Sequence, residues 1–130
     1  MPIFLLDTDA VSYALRGQGQ VADRILEHRP SDLSLSSITL AELRYGASVR
    51  GSKRIHRQID TFVNAIQILA FGPEAARAFG EIAHRLTRAG PVGGFDALIA
   101  AHAMSAGLTL VTHNLRHFSR VPGLKCEDWV

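Results

Sequence analysis

The sequence has little that would suit an oxidising compartment or a membrane. It holds one cysteine, Cys126, which has no partner for a disulfide within the chain. The apolar run at residues 2–6 is too short for a secretory signal and lacks a basic stretch before it. No apolar run reaches the length that spans a bilayer. We therefore expect a cytoplasmic protein with no membrane association.

The signatures of several common enzyme classes are also missing. There is no Cys/His spacing typical of a zinc site, no phosphate-binding P-loop and no Gly-x-Gly-x-x-Gly fingerprint. No serine elbow accompanies the histidines to suggest a hydrolase triad. These absences argue against a zinc module, a P-loop nucleotidase, a dinucleotide-binding enzyme and a serine hydrolase.

Positive charge is present but unevenly spread. The formal net charge is only +2, although the sequence pI is about 9.1. No acid lies between Leu43 and Ile59, where the basic residues are Arg44, Arg50, Lys53, Arg54, His56 and Arg57. A later group comprises His113, Arg116, His117, Arg120 and Lys125. Such groups can follow a phosphate backbone, and arginine suits phosphate because its fork bonds two oxygens. The alternative is that both groups are solvated helix surfaces.

The pattern of apolar residues predicts strands that alternate with helices. With 130 residues, we expect residues 1–130 to form a single domain. Strands are predicted at residues 2–6, 32–36, 66–71, 108–112 and 124–126. Helices are predicted at residues 10–15, 21–28, 37–49, 53–65, 73–89 and 95–106, with a break at residues 90–94. This alternation is typical of an α/β fold with a mostly parallel sheet and helices on both faces.

Four oxygen-bearing side chains lie at boundaries of these predicted elements or about one turn inside them: Asp7, Glu42, Asp96 and Asn114. In parallel sheets, sites lie beyond the carboxyl ends of the strands, so the four side chains can share one edge. Carboxylate and amide oxygens are hard ligands that suit Mg²⁺ or Mn²⁺. Crowded carboxylates repel one another unless a cation neutralises them. The positions therefore predict a divalent metal site.

Each of these residues also has a plainer interpretation. Asp7, Asp96 and Asn114 could be helix N-caps, and Glu42 could form a capping box with Thr39. Several neighbouring polar residues have similar alternatives. Asp9 is interpreted as a solvated first-turn acid, with a supporting acid behind the metal ligands as the alternative. His102 is interpreted as a core histidine, and Ser36 and Thr112 as capping residues or as hydroxyls that orient metal-bound water.

The segments around the four positions resemble a known family. They are Leu5–Ser12 (LLDTDAVS), Ser37–Gly46 (SITLAELRYG), Gly93–Ala103 (GGFDALIAAHA) and Leu110–Phe118 (LVTHNLRHF). Together with the ending Val121–Lys125 and Glu127–Trp129, they resemble the PIN-domain ribonucleases of the VapC toxin type. The resemblance runs in order over nearly the whole chain.

The resemblance implies a small three-layer α/β/α sandwich and Mg²⁺-dependent cleavage of RNA, with tRNA among the candidate substrates. It implies a cognate VapB-like antitoxin and a homodimer. By position, Asp7 and Asp96 resemble the core metal ligands, Glu42 the third acid, and Asn114 the residue that completes the site. The residues expected to hold the RNA strand are Arg44, Arg50, Lys53, Arg54, His113 and Arg116.

Three positions depart from the family pattern. Asp9 stands where asparagine is commoner, Gly94 replaces a usual proline, and His113 replaces an asparagine or arginine. None of the departures removes a core acid, so the resemblance still implies an active enzyme. The changes at Gly94 and His113 bear on loop order and on substrate preference.

Two other functions are compatible with parts of the sequence. The opening Asp7-Thr-Asp-Ala-Val fits haloacid-dehalogenase-type phosphatases, with Asp7 as nucleophile and Asp9 as general acid. That chemistry needs a lysine near the phosphate and a later acidic pair, whereas the only lysines are Lys53 and Lys125. The second alternative is an RNA-binding domain whose acidic site is catalytically silent.

Overall fold

Five parallel strands form one sheet in the computed structural model, which describes residues 2–86 and 94–130. The strands are β1 (Phe4–Leu6), β2 (Leu33–Ser36), β3 (Gln67–Leu69), β4 (Thr109–Val111) and β5 (Cys126–Glu127). Their order across the sheet is β3-β2-β1-β4-β5. Phe4 of β1 pairs with Leu33 on one side and with Thr109 on the other. Strands β2 and β3 therefore follow β1 toward one edge of the sheet, and β4 and β5 lie on the other side of β1.

Seven α-helices surround the sheet in the described part of the chain. They are α1 (Thr8–Leu15), α2 (Val21–Leu26), α3 (Ser37–Val49), α4 (Lys53–Ala65), α5 (Pro73–Leu86), α6 (Gly94–Ala106) and α7 (Leu115–Phe118). Ser36 caps α3 by accepting a hydrogen bond from the Ile38 N–H at 3.1 Å. Gly107, with φ of 67°, ends α6 in the left-handed conformation that glycine adopts without strain. No helix among these residues is long and apolar enough to cross a membrane.

The side chains of the central strand alternate between two cores. Phe4 and Leu6 pack with buried residues of α1, α2, α3 and α4, such as Val11 and Ile59. Leu5 points to the other face and packs with buried residues of α5, α6 and α7. This alternation is the period-two pattern of a strand that is buried on both faces. The molecule is therefore the three-layer α/β/α sandwich that the sequence predicted.

The predicted elements are confirmed with shifted ends: several strands are shorter, whereas α1 and α6 begin earlier than predicted and β5 ends one residue later. Helix α3 has the predicted bounds, and each predicted strand is present, although β1 spans only Phe4–Leu6. Helix α2 ends at Leu26, before the predicted His28, because its last turn tightens: the His28 N–H donates to the Ile25 carbonyl at 3.1 Å. The 3₁₀ turn at Pro30–Asp32 and helix α7 were not predicted. The predicted helix end at Ala89 and residues 90–93 of the predicted break lie outside the described residues, and Gly94, the last residue of that break, begins α6.

Candidate active site

The candidate site lies at the carboxyl ends of β1 and β4, which we call the carboxyl edge. Asp7 follows β1 directly, and Thr112 follows β4. These strands are neighbours, and the connections that leave them run to opposite sides of the sheet. This switch point is where open parallel sheets leave a crevice for ligands.

Asp7 is a buried carboxylate held by several hydrogen bonds. Asp7 is only 3% exposed to solvent. It caps α1, because Oδ1 accepts from the Ala10 N–H at 2.8 Å, and it also accepts from the Thr112 hydroxyl. Burial raises the pKa of Asp7 to about 6; the hydrogen bonds from Thr112 and Ala10 oppose the rise, and the charges of Asp9 and Asp96 add to it. The capping interpretation is confirmed, yet the cap leaves a carboxylate that is costly to ionise without a nearby cation.

Glu42 reaches the same edge from α3. The Thr8 hydroxyl donates to Glu42 Oε1 at 2.7 Å, which ties α3 to the first residue of α1. Burial raises the pKa of Glu42, and the charges of Asp96 and Asp9 raise it further, whereas the Thr8 bond lowers it. The capping-box alternative is wrong, because Ser36 rather than Thr39 is the N-cap of α3. The hydrogen bond from Thr8 to Glu42 therefore joins α1 to α3.

Asp96 and Asp9 complete a group of acids. Asp96 lies in the first turn of α6, where burial raises its pKa, His117 lowers it and Asp9 raises it. Asp9 is exposed, as predicted for a solvated first-turn acid, but its charge also acts on Asp7, Glu42 and Asp96. We call Asp7, Asp9, Glu42 and Asp96 the acid cluster.

Asn114 is connected to the acid cluster through Thr112. Asn114 occupies the N-cap position of α7, but within the described residues its side chain makes no capping hydrogen bond. Its backbone N–H donates to Thr112 Oγ1 at 3.0 Å, and the same hydroxyl donates to Asp7. Thr112 therefore fixes the carboxyl edge of β4 relative to Asp7 and leaves the Asn114 amide available.

The oxygen atoms at this edge are of the kind that binds a hard divalent cation. Carboxylates from three elements and an amide oxygen are the ligands that Mg²⁺ and Mn²⁺ prefer. In residues 2–86 and 94–130, however, no three Asp, Glu, His or Cys side chains already stand as a closed ligand group. Their mutual effect on pKa shows that the acids lie within electrostatic range. A cation bound among them would neutralise the repulsion between their charges.

Comparison with known proteins places this site in a family. Residues 4–124 match the PIN domain. A tRNA(fMet)-specific endonuclease VapC of Salmonella typhimurium is 38% identical over 128 residues, which are 97% of each chain. The chain belongs to the PIN-domain family, in its VapC branch.

Two solved structures share the whole architecture of this PIN domain. VapBC2 from Rickettsia felis, bound to a DNA fragment from its promoter, superposes with a TM-score of 0.88 at 32% identity and covers 98% of this chain and 99% of that one. DNA-bound VapBC from Salmonella typhimurium gives 0.87 at 38% identity over 100% of both chains. The predicted resemblance to the VapC type is thereby confirmed.

The basic residues of the PIN domain have different environments. The Arg44 guanidinium donates to the His56 carbonyl at 3.1 Å and forms an ion pair with Asp60, so it links α3 to α4. Arg50, Lys53, Arg54 and Arg116 are exposed. His113 Nδ1 lies 3.0 Å from Asp128 Oδ2. Contact with RNA stays a prediction for all of these residues, and Arg44 has the strongest competing role.

A pocket of about 160 Å³ opens beside the acid cluster, between α1, α3 and α4. Thr8 and Glu42 line one end, and its other lining residues include Leu15, Leu43, Ala47 and Ile55. Arg50 also lines this pocket, so one exposed arginine of the basic stretch lies near Glu42. The pocket offers an apolar surface that continues directly from the acids.

His102 has the structural role that the sequence predicted. Its ring is buried, and Nδ1 lies 2.8 Å from Ser36 Oγ. Burial lowers the pKa of His102, so the neutral ring is favoured. The sequence did not single out Thr8, and only the adjacent acids Asp7 and Asp9 could have drawn attention to it. On sequence alone, Thr112, like Ser36, has two interpretations, as a capping residue or as a hydroxyl that orients metal-bound water.

Proposed function

We propose that this PIN domain is a Mg²⁺-dependent endoribonuclease that hydrolyses phosphodiester bonds of RNA, with Mn²⁺ as an alternative ion. The observation that carries the proposal is the buried Asp7, with a pKa raised to about 6, beside Glu42 and Asp96 at the switch point of the sheet. Relatives over nearly the full length are named ribonucleases or endonucleases. They are not phosphatases or silent RNA-binding domains, so neither alternative is favoured.

The residues would share the work of holding and orienting. Asp7, Glu42, Asp96 and Asn114 would hold the ion, which when bound supplies a Lewis acid for water and phosphate oxygens. The Ala10 N–H and the Thr112 hydroxyl fix the Asp7 carboxylate, and Thr8 fixes that of Glu42. Because these carboxylates are already oriented, little rearrangement is needed when RNA arrives.

Asp96→Asn tests the proposal most simply. The substitution keeps the size of the side chain and removes its charge, so cleavage of RNA in Mg²⁺ should fall about 1000-fold, as expected when several kcal/mol of charge stabilisation is lost. Excess chelator should silence the wild type equally. Asp23→Asn, an exposed acid on α2, is the matched control and should cut normally. Full cleavage by Asp96→Asn, or by wild type in chelator, would contradict the proposal.

We also propose that the domain acts in the cytoplasm as the toxin of a toxin–antitoxin pair. The solved neighbours are VapBC complexes, and the relative from Salmonella typhimurium is named for tRNA(fMet), so tRNA is the first substrate to try. The pocket between α1, α3 and α4 could take an apolar segment of a VapB-like antitoxin, which would then end beside Glu42. Purification from the native host should recover a small companion protein that blocks cleavage.

A homodimer is the remaining part of the proposal. Tyr45 and Val49 lie one turn apart on α3 and are both exposed, which gives that helix an apolar patch. Light scattering of the purified chain should give twice the mass of 14.1 kDa. A monomer at all concentrations would exclude this part and leave the nuclease activity untouched.

A further inference from the structure

Two rings meet beside the acid cluster. Tyr13 of α1 and His113, which follows β4, have ring centroids 5.4 Å apart at an interplanar angle of 71°. The Arg16 guanidinium carbon lies 5.3 Å from the Tyr13 ring centroid. Asp128 Oδ2 lies 3.0 Å from His113 Nδ1. We call Tyr13, Arg16, His113 and Asp128 the ring platform.

The chain places the ring platform next to the proposed metal ligands. His113 lies between Thr112, whose hydroxyl bonds Asp7, and Asn114. Tyr13 lies four residues after Asp9 on α1, so the two side chains occupy the same face of the helix, about 5–6 Å apart at Cβ. The platform is therefore within one helical turn of the acid cluster.

The His113 ring is both accessible and held in place. Its side chain is 47% exposed. Tyr13 behind it packs against the apolar core of α1–α4, which fixes the position of the ring pair. Asp128 is fixed in turn, because its Oδ1 accepts from the Val130 N–H at 2.9 Å and the adjacent Trp129 is buried in the core. A ring that is ordered before the ligand arrives loses little entropy on binding.

These properties fit an unpaired nucleobase. Proteins that bind single-stranded nucleic acid stack bases on aromatic rings, and the stacking does not depend on base identity. The proposed ion at the acid cluster would take phosphate oxygens, whereas the bases beside the bond that is cut need contacts of another kind nearby. The exposed Arg16 supplies a cation at the same rim.

We propose that the ring platform is a base-binding subsite, in which His113, backed by Tyr13 and oriented by Asp128, stacks one unpaired RNA base next to the phosphodiester that is cut. The inference rests on the proposed nuclease function and adds to it the class of group that is recognised. Asp128 acts through His113 and is a positioning residue.

The test compares RNA with and without the base in question. The cut position is first mapped with the wild type, and abasic RNAs are then made for each nucleotide that flanks it. Binding is measured by fluorescence anisotropy in the Asp96→Asn background, so that RNA is held without being cut. Removing one flanking base should weaken binding about 5- to 150-fold, which corresponds to about 1–3 kcal/mol for one stacked base.

Substitutions at the ring should remove that same increment. His113→Ala should weaken binding of intact RNA by the same factor. In this variant, removing the flanking base should weaken binding no further. His113→Phe keeps a stacking ring without the bond to Asp128 and should restore most of the affinity. His84→Ala, an exposed histidine on α5, is the matched control. An undiminished abasic penalty in His113→Ala, or unchanged binding of intact RNA, would overturn the inference.

The positioning role of Asp128 has its own readout. Asp128→Asn should raise KM a few-fold for intact RNA, leave kcat unchanged, and leave cleavage of the abasic RNA unaffected. An equal effect on intact and abasic RNA would overturn the positioning role. If the wild type cuts no RNA, the proposed function fails and the subsite falls with it. If the wild type cuts RNA but the ring variants behave as wild type, the subsite alone is wrong.

Discussion

The acid cluster and the basic stretch at residues 44–57 are built in opposite ways. Apart from the neighbours Asp7 and Asp9, the acids are distant in sequence, yet α1, α3 and α6 bring them within electrostatic range at one edge of the sheet. The basic residues are close in sequence but have separate environments. Arg44 is bound to Asp60 and His56, Arg50 lines a pocket, and Lys53 begins the next helix.

The difference shows what sheet topology contributes. Carboxyl ends of parallel strands meet at one edge, so residues that follow strands can share a site whatever their separation in sequence. Like charges that are close in sequence on a helix instead point to different sides of it, because residues one or two apart do not face each other. Four variants can break or sharpen this contrast.

The largest expected effect is on cleavage by Asp7→Asn. Loss of this buried carboxylate should lower kcat/KM for RNA about 1000-fold in Mg²⁺, because several kcal/mol of charge stabilisation depends on it. Arg50→Gln, from the basic stretch, should lower it only a few-fold. Initial-rate measurements on one RNA decide the matter. Similar losses for both variants would remove the distinction between the two regions.

In the absence of metal, the free energy of unfolding should depend on pH because the Asp7 carboxyl group titrates. Its pKa is about 6 in the fold against 3.8 for the free side chain, so folding favours the protonated acid. The contribution to stability is therefore complete below about pH 3.8 and is lost as pH rises through about 6. The loss should approach about 3 kcal/mol, at roughly 1.36 kcal/mol for each pKa unit.

Urea unfolding in chelator at pH 4.5 and pH 8 measures about two-thirds of this loss, because pH 4.5 already lies above 3.8. Asp7→Asn should reduce the difference and be the more stable protein at pH 8, since the amide can still accept from the Ala10 N–H. The raised pKa values of Glu42 and Asp96 should leave a smaller pH dependence of the same sign. Asp23→Asn, with the same chemical change at an exposed position, should keep the wild-type difference. A pH dependence in Asp7→Asn equal to that of wild type would show that Asp7 is not its source.

A smaller effect is expected from Thr112→Val, which tests whether the acid edge is oriented by its hydroxyls. The variant loses the bond to Asp7 and the acceptor for the Asn114 N–H. A hydrogen bond to a charged group contributes about 1.5–3 kcal/mol, so kcat/KM should fall at least about tenfold. Because the Thr112 bond lowers the pKa of Asp7, the acidic limb of the rate profile should move to higher pH. Thr112→Ser should restore both; an unchanged profile in Thr112→Val would contradict this role.

The smallest effects separate two arginines of the basic stretch. Arg50→Gln should weaken RNA binding a few-fold and reduce the slope of log affinity against log salt by about 0.7, with no change in unfolding. Arg44→Gln should leave the slope alone and cost at most about 1 kcal/mol of stability, because it breaks a partly exposed link between α3 and α4. Salt titrations and urea curves on both variants check this, and a shared slope change would put Arg44 on the RNA.

The sequence predicted the layers, the bounds of α3 and the edge at which Asp7 and Asn114 lie, because apolar periodicity and strand ends are local signals. It could not show that Thr8 bonds Glu42, that Thr112 joins Asp7 to Asn114, or that Asp9 acts on three other acids. Those relations arise only when α1, α3 and β4 pack together. Helix α7 was missed because four residues give too short a periodic pattern.

The central claim is that the acid cluster binds one kind of ligand, a hard divalent cation. Calorimetric titration of the chelator-treated protein with Mn²⁺ at pH 7.5 tests it without RNA. The account predicts saturable binding by the wild type and by Asp23→Asn, and at least tenfold weaker binding by Asp7→Asn and Asp96→Asn. Equal binding by all four proteins, or no binding by the wild type, would contradict it.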